Sequence, residues 1–80
     1  MNTPRTWSIR RGDDLGRAVA GVRAARSMTQ AEVAELTQID RTYLARLENG
    51  ATVLQLERAL RILRRLGATV TVELDDGLDR

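Results

Sequence analysis

The chain has 80 residues, a formal net charge of +2, and neither cysteine nor histidine. This length allows one domain with a limited hydrophobic core, and the missing residue types exclude a disulfide framework and a thiolate metal site. Without the usual general base and the commonest metal ligand, we expect no catalytic site, metal or cofactor. No apolar run approaches the ~18 residues of a transmembrane helix and no signal peptide is recognisable, so we expect a soluble cytoplasmic protein.

The charge is unevenly distributed along the chain. Residues 1–26 hold six arginines against two aspartates, whereas residues 73–80 hold four acidic residues against one arginine. All thirteen basic residues are arginine, a side chain that suits nucleic acid because it binds phosphate and guanine through two parallel hydrogen bonds. A GC-rich genome also favours arginine over lysine, so the absence of lysine is weak evidence for nucleic-acid binding.

Residues 1–12 are interpreted as an N-terminal arm that contains the only proline and the only tryptophan of the chain, Pro4 and Trp7. A short extended piece is expected at residues 7–9. A basic arm can reach into a DNA minor groove. The favoured alternative is a frayed terminus from which Trp7 packs against the core.

The first helix is predicted to begin at Asp13 and Asp14, whose carboxylates complement the positive end of the helix dipole. Its apolar residues follow helical spacing and are Leu15, Val19 and Val22. Arg23 lies beside this stripe, on the side of the helix where an unpaired charge is unfavourable.

Residues 29–50 are predicted to form two short helices around a tight turn. Thr29 and Glu32 have the spacing of a capping box, in which each side chain accepts a hydrogen bond from the other residue's backbone N–H. Asp40 is placed to cap the second helix, and Gly50 follows that helix where a left-handed C-cap is expected. Two helices joined in this way form a helix-turn-helix unit, whose second helix enters the major groove of DNA.

The next helix is predicted to begin with a second capping box, formed by Thr52 and Gln55, and to end at Gly67. Its apolar residues cover an arc of about 160°, wider than a helix needs for its own core, which indicates a partner. They are Leu56, Ala59, Leu60, Ile62, Leu63 and Leu66. The other face carries Arg58, Arg61, Arg64 and Arg65, interpreted as a solvated face or as a contact with an acidic partner.

Residues 68–74 switch to a period of two, which predicts a strand with valines on one side and threonines on the other. A lone strand leaves an open edge. Pairing with the same strand of a second copy across a two-fold axis would cover that edge, and a weaker alternative is pairing with residues 7–9 of the same chain. Residues 75–80 are interpreted as an acidic tail.

The helical segment 29–50 resembles the core signature of the Cro/C1-type (XRE) family of DNA-binding domains. The likeness is carried by Thr29-Gln30, Val33-Ala34, Ile39, Leu44 and Leu47-Glu48-Asn49-Gly50. The resemblance implies a mainly α, lambda-repressor-like bundle of four to five helices over residues 13–67. The short C-terminal strand, residues 68–74, is then expected to pair across a dimer. The family usually has glycine where this chain has Ser27 and Gln38.

The C-terminal part of the chain makes the family resemblance more specific. A leucine-rich helix followed by a short valine-rich strand is similar to HipB-type antitoxins, with Leu15-Gly16, Thr29-Gln30 and residues 60–67 carrying the likeness. Over residues 13–74 this implies a homodimeric repressor that binds its own operator DNA and restrains a HipA-type kinase toxin. The alternative is a protein-interaction module that keeps the fold and acts mainly by binding a partner protein.

The predicted DNA contacts combine helix geometry with this resemblance. In the family the residue matching Gln30 contacts phosphate and braces the recognition helix, and the residue matching Arg23 pairs with the one matching Glu48. Arg41 is the best candidate for guanine, whereas capping is the favoured role of Asp40. The predicted DNA-binding residues are Thr29, Gln30, Asp40, Arg41, Thr42, Tyr43, Arg46 and Asn49. Asn49 is expected to act through its backbone amide, as is Gly50. The predicted dimerisation residues are Ile62, Leu66, Val70, Val72 and Leu74.

Overall fold

A computed structural model describes residues 6–75 and holds four helices and two strands within that range. In chain order they are β1 (Thr6–Ser8), α1 (Gly12–Ala25), α2 (Gln30–Thr37), α3 (Arg41–Glu48), α4 (Leu54–Arg65) and β2 (Thr71–Glu73). The predicted helix-turn-helix bundle is confirmed. None of the helices in the described range is long and apolar enough to cross a membrane. The ends of the predicted arm and tail, residues 1–5 and 76–80, lie outside the described residues.

Helix α1 is the centre of the fold, because α3, α4 and β1 all pack against it. Gly16 permits its close approach to α3, since a Cβ at this position would lie 1.9 Å from the backbone oxygen of Leu47. Helix α2 packs against α3. Helices α3 and α4 therefore both pack against α1.

The hydrophobic core lies between α1, α4 and the sheet. Ile9, Ala18 and Leu60 are buried there. Half-buried side chains pack around them, and they are Trp7, Leu15, Leu56, Val70 and Val72. The expected packing of Trp7 on the core is thus present, but its segment forms β1 instead of fraying.

The two strands form an antiparallel pair in which Trp7 lies opposite Val72. The N–H of Ile9 extends the ladder by donating to the carbonyl of Val70 at 2.8 Å. The premise that this strand stands alone is therefore wrong, because β2 has a partner in its own chain; its pairing across a dimer stays a prediction. The weaker alternative, pairing near residues 7–9, is what the structure has.

The alternation predicted for residues 68–74 is otherwise present. Val70 and Val72 are half-buried and Leu74 is 8 % exposed, whereas Thr71 and Glu73 are exposed. Three of the predicted dimerisation residues therefore turn toward the core of their own chain.

The start of α4 differs from its prediction. Val53 is the N-cap and no side chain caps the helix, so the predicted capping box of Thr52 and Gln55 is wrong. Thr52 instead lies against Gly12, where an added Cβ would be 1.9 Å from its hydroxyl oxygen. Glu57 ties α4 to α1 by accepting a 3.1 Å hydrogen bond from the N–H of Gly12.

Candidate nucleic-acid interface

The start of α2 is fixed by a complete capping box. The N–H of Glu32 donates to the hydroxyl of Thr29 at 3.1 Å, and the N–H of Thr29 donates to the carboxylate of Glu32 at 2.8 Å. This prediction is confirmed. Because the Thr29 N–H is already used, only the hydroxyl of this residue has a donor to offer a phosphate.

The turn between α2 and α3 passes through a left-handed residue. Gln38 has φ +63° at the end of α2, and Ser27, before α2, has φ +57°. These are the two positions at which the resembled family usually has glycine. A side chain in this conformation costs about 1 kcal/mol, so both bends are built at some expense of stability.

Helix α3 is anchored through Leu44, which is 4 % exposed. Asp40 occupies its N-cap position, but its side chain makes no capping hydrogen bond, so the favoured capping role is wrong. Its carboxylate is exposed at the end of the helix that is predicted to face DNA. The helix therefore depends on tertiary packing rather than on a cap for its position.

A polar network joins α1, α2 and the C-terminal end of α3. Arg23 donates two hydrogen bonds of 2.8 Å to the carboxylate of Glu48 and a third, of 2.9 Å, to the carbonyl of Met28. Gln30 donates to the same carboxylate at 3.0 Å. The structure thus brings Arg23, Gln30 and Glu48 together, as predicted for Arg23 and Glu48. Gln30 braces the recognition helix through its own hydrogen bond to Glu48.

The electrostatics of this network favour its charged form. The side chain of Glu48 is 7 % exposed and that of Arg23 is 23 % exposed, so water screens the pair weakly. Hydrogen bonds from Arg23, helped by the one from Gln30, lower the pKa of Glu48 against the opposing effect of burial. The pairing also raises the pKa of Arg23. Both groups are therefore charged at neutral pH.

The outer face of α3 is polar, basic and exposed. Its exposed residues are Arg41, Thr42, Tyr43, Arg46 and, just after the helix, Asn49. Within residues 6–75, no ion pair or side-chain hydrogen bond engages the guanidinium groups of Arg41 and Arg46. The described part of the chain leaves this face open to a ligand that offers hydrogen-bond acceptors.

The backbone amide of Asn49 does not fit its predicted role. Its N–H points back into the helix, toward the carbonyls of Ala45 and Arg46 at 3.1 Å. The N–H of Gly50 likewise donates to the carbonyl of Leu47 at 3.0 Å. These amides close the end of α3, so only the side chain of Asn49 is free to face a phosphate. Gly50 has φ +103°, as a left-handed C-cap requires.

The sequence did not predict an apolar groove of about 410 Å³ beside the recognition helix. Tyr43, Arg46 and Leu47 form its α3 wall, and the remaining lining residues are Leu15, Val19, Ala51, Thr52, Val53 and Leu56. Two residues assigned to DNA thus also border a cavity. The sequence signal that could have indicated this groove is the number of apolar residues on α1 and α4, because four short helices cannot bury all of them.

Comparison with known families identifies the unit that carries this face. Residues 20–72 match the family model described as Helix-turn-helix, which is more than half of the chain. The match includes α2, α3 and α4 and contains all eight residues predicted to contact DNA. No curated protein and no solved structure gives a significant match.

Proposed function

Because the chain belongs to the helix-turn-helix family of DNA-binding regulators, we propose that it is a sequence-specific transcriptional repressor whose α3 enters the major groove of operator DNA. One observation carries the proposal. The polar face of α3 is exposed and unpaired within residues 6–75, whereas the back of the same helix is tied to α1 and α2 through Glu48. A rigid helix with a free basic face is what direct contact with base edges requires.

The N-terminal half of α3 supplies the base contacts. Arg41 lies in the first turn, where such helices reach base edges, and its guanidinium suits the O6 and N7 acceptors of guanine. Thr42 is adjacent and offers a methyl group to thymine or a hydroxyl to an acceptor. Arg46 lies one turn further on, within reach of a base or the backbone. These three residues are the proposed specificity determinants.

The start of α2 supplies the phosphate contacts. The hydroxyl of Thr29 and the positive end of the helix dipole both favour an anion at this point. Gln30 reaches Glu48 with its side-chain N–H, so its proposed role is to brace α3 while its own helix end approaches the backbone. Contacts of this kind set the orientation of the protein and carry no sequence information.

We also propose that the protein binds DNA as a homodimer, because two recognition helices about 34 Å apart read successive half-sites of an operator. Ile62 and Leu66 on α4 are 58 % and 77 % exposed, which supports their assignment to the dimer interface. The apolar face of β2 turns toward its own core, so Val70, Val72 and Leu74 contribute to this interface less directly than α4 does.

The finer proposal is that this repressor is the antitoxin of a HipA/HipB-type pair in the cytoplasm, which autoregulates its operon and binds a kinase toxin. Its support is the resemblance of residues 13–74 to HipB-type antitoxins. A kinase encoded next to this chain, and a stable complex between the two proteins, are the observations that test it. Loss of that complex would leave the DNA-binding proposal intact.

The alternative is an interaction module that retains the fold without using α3 on DNA. The observation in its favour is the set of large hydrophobic side chains that are more than a third exposed within residues 6–75. They are Leu36, Ile39, Tyr43, Val53, Leu54, Ile62, Leu63 and Leu66. Several of them lie away from the polar face of α3, on surfaces that suit a protein.

A salt titration of DNA binding separates the two functions. The probe is the fluorescein-labelled DNA that lies upstream of the coding region, and the measurement is anisotropy at increasing salt concentration. A repressor loses affinity steeply as salt rises, because phosphate contacts release counterions. It also prefers this DNA to a scrambled duplex of the same length. Absence of binding to either duplex at low salt would favour the interaction module.

A further inference from the structure

The groove beside α3 lies where α1, α3, the loop that follows α3 and α4 come together. Its volume of about 410 Å³ falls in the range, roughly 300–1,000 Å³, of sites that hold small molecules. Leu15 and Val19 line it from α1, and Leu56 lines it from α4. These three side chains are half-buried. They therefore form an apolar wall that is already in place and still open to a ligand.

The polar side chains of the groove are few, and the charged one among them is basic. They are the guanidinium of Arg46 and the hydroxyls of Tyr43 and Thr52, and no acidic residue lines the cavity. Within residues 6–75, no ion pair engages Arg46. A guanidinium carries only donors and no acceptor. The groove thus combines an apolar wall with an unused cationic donor.

We infer that this groove binds a small amphipathic anion, a molecule with an apolar body and one carboxylate, and that this ligand weakens the hold of the protein on DNA. The apolar body lies against Leu15, Val19 and Leu56, and the carboxylate accepts hydrogen bonds from Arg46. The inference rests on the proposed function, because it adds a chemical signal to a repressor that binds DNA through α3.

Charge and size define the class of ligand. A carboxylate can accept two parallel hydrogen bonds from a guanidinium, whereas an ammonium group would be repelled by it. One water molecule occupies ~30 Å³ of liquid, so the cavity has room for roughly ten to fourteen non-hydrogen atoms. Fatty acids of medium chain length and small aromatic acids have this size and this chemistry.

Ligand and DNA compete because Arg46 belongs to both sites. Arg46 is a proposed specificity determinant, and a guanidinium that is held by a carboxylate is not available to a base or a phosphate. The bound carboxylate also places a negative charge on the helix that approaches the phosphates of DNA, which repels them. Thermodynamic linkage requires the reciprocal effect: DNA must weaken ligand binding by the same factor.

The first experiment uses three probes with the same apolar chain, octanoate, 1-octanol and octylamine, in calorimetric titrations of the full chain. Octanoate should bind about tenfold more tightly than 1-octanol, because hydrogen bonds between charged groups are the stronger ones. Octylamine should bind most weakly. Arg46→Gln should reduce the affinity for octanoate to that for 1-octanol, and the affinity for 1-octanol should stay within twofold. The control Arg61→Gln, on α4 outside the groove, should change neither affinity by more than twofold.

A second pair of variants tests the place of the apolar body. Ala51 is exposed and lines the groove, so Ala51→Phe should fill part of the cavity and reduce the affinity for octanoate at least tenfold. The matched control is Ala68→Phe, at an exposed alanine outside the groove. This control should leave the affinity for octanoate within twofold. Circular dichroism checks that both variants are folded.

The third experiment measures the coupling to DNA. Saturating octanoate should raise the dissociation constant of the labelled upstream duplex at least fivefold, in the range of ordinary coupling between two sites. Sodium acetate at the same concentration controls for ionic strength, because it carries the carboxylate without the apolar chain. Octanoate affinity measured with saturating duplex should fall by the same factor.

The inference is overturned if octanoate binds no better than 1-octanol, if Arg46→Gln keeps the preference for octanoate, or if Ala51→Phe binds octanoate as the wild type does. It is also overturned if octanoate affinity falls as protein concentration rises, since a second copy would then occupy the groove. Normal operator binding together with any of these results would leave the repressor proposal intact. Octanoate binding that depends on Arg46, in a chain without DNA preference, would support the ligand site and reject the repressor.

Discussion

Helix α1 is joined to α3 and to α4 by different forces. On the α3 side, Arg23, Glu48 and Gln30 form charge-assisted hydrogen bonds of 2.8 to 3.0 Å that join three helices. On the α4 side the contacts are mainly apolar, around Leu60 and the sheet, and a groove stays open. Hydrogen bonds are directional, whereas apolar burial is not.

The difference separates two tasks. A recognition helix must be held at a defined angle to place its side chains on base edges, and the network on the α3 side provides that angle from within one chain. The contacts of α4 with α1 are less directional and leave apolar side chains of α4 exposed. We propose that specificity for DNA depends on the contacts of α3, and affinity for a second copy on the exposed face of α4.

The largest expected effect comes from breaking the polar side. Glu48→Ala leaves Arg23 without its partner, and loss of one member of a poorly solvated ion pair costs about 3 kcal/mol. We expect the free energy of unfolding, measured by urea denaturation, to fall by about that amount. The control is Glu35→Ala on the exposed side of α2, which should change stability by less than about 0.5 kcal/mol. Equal losses in both variants would refute the structural role of the network.

The next effect concerns DNA rather than stability. Arg41→Ala removes the proposed guanine contact and should reduce discrimination at one operator position by about 1–3 kcal/mol. The fold should be unchanged, because this side chain is exposed. Competition binding against a set of single-base operator variants gives the measurement. Arg61→Ala, on α4, is the control and should leave preference at every base unaltered. If Arg41→Ala also leaves all preferences unaltered, Arg41 is not a specificity determinant.

A smaller effect is expected at the turn that orients the two helices of the unit. Gln38 has φ +63°, so Gln38→Gly should relieve strain and stabilise the fold by up to about 1 kcal/mol. The neighbouring change Thr37→Gly, at the last residue of α2, should destabilise by a similar amount, because it adds the conformational freedom of glycine and removes the 2.8 Å hydrogen bond from the Thr37 hydroxyl to the carbonyl of Val33. Thermal denaturation of both variants distinguishes the two signs. Destabilisation by Gln38→Gly would show that its 2.9 Å side-chain hydrogen bond to the carbonyl of Glu35 outweighs the strain.

The smallest effect is a pH dependence of stability. The pKa of Glu48 is lowered from 4.5, chiefly because Arg23 donates hydrogen bonds to it. A carboxyl group with a lower pKa in the folded chain stabilises the fold above its unfolded pKa, and this contribution is lost as pH falls through the folded value. The pKa of Asp14 is lowered too, by the N–H groups of Arg11 and Arg10. We therefore expect the free energy of unfolding to decrease on acidification below about pH 4.5.

The isosteric variant Glu48→Gln isolates the contribution of this carboxylate. It retains the shape of the side chain and the Asp14 interaction, so its stability should decline less steeply with acid than that of the wild type. Urea denaturation at several values between about pH 7 and pH 3 provides the comparison. Identical slopes would assign the acid sensitivity to other groups.

The features that sequence could predict are mostly local. The capping box of Thr29 and Glu32 depends on two residues three positions apart, and the strand alternation depends on a period of two. Both are present. The Arg23 and Glu48 positions came from family resemblance rather than from periodicity, because 25 residues separate them in the chain.

The features that were wrong depend on tertiary structure. The partner of β2 is β1, a strand of three residues that lies between arginines in the sequence and is too short to show a pattern. Trp7 packs this strand against the core. The predictions that Asp40 caps α3 and that Thr52 caps α4 were wrong, because neither side chain makes a capping hydrogen bond. The groove beside α3 is formed where α1, α3, the following loop and α4 come together, which no local pattern encodes.

The most direct test of the central claim is a titration of isotope-labelled protein with an operator duplex, followed by backbone amide chemical shifts. The claim is that α3 and the start of α2 contact DNA while α4 and the sheet do not. We expect the largest shifts at residues 29–30 and 40–49, with small changes along residues 59–66. Shifts concentrated on α4 or on the strands, or none at low salt, would contradict the account.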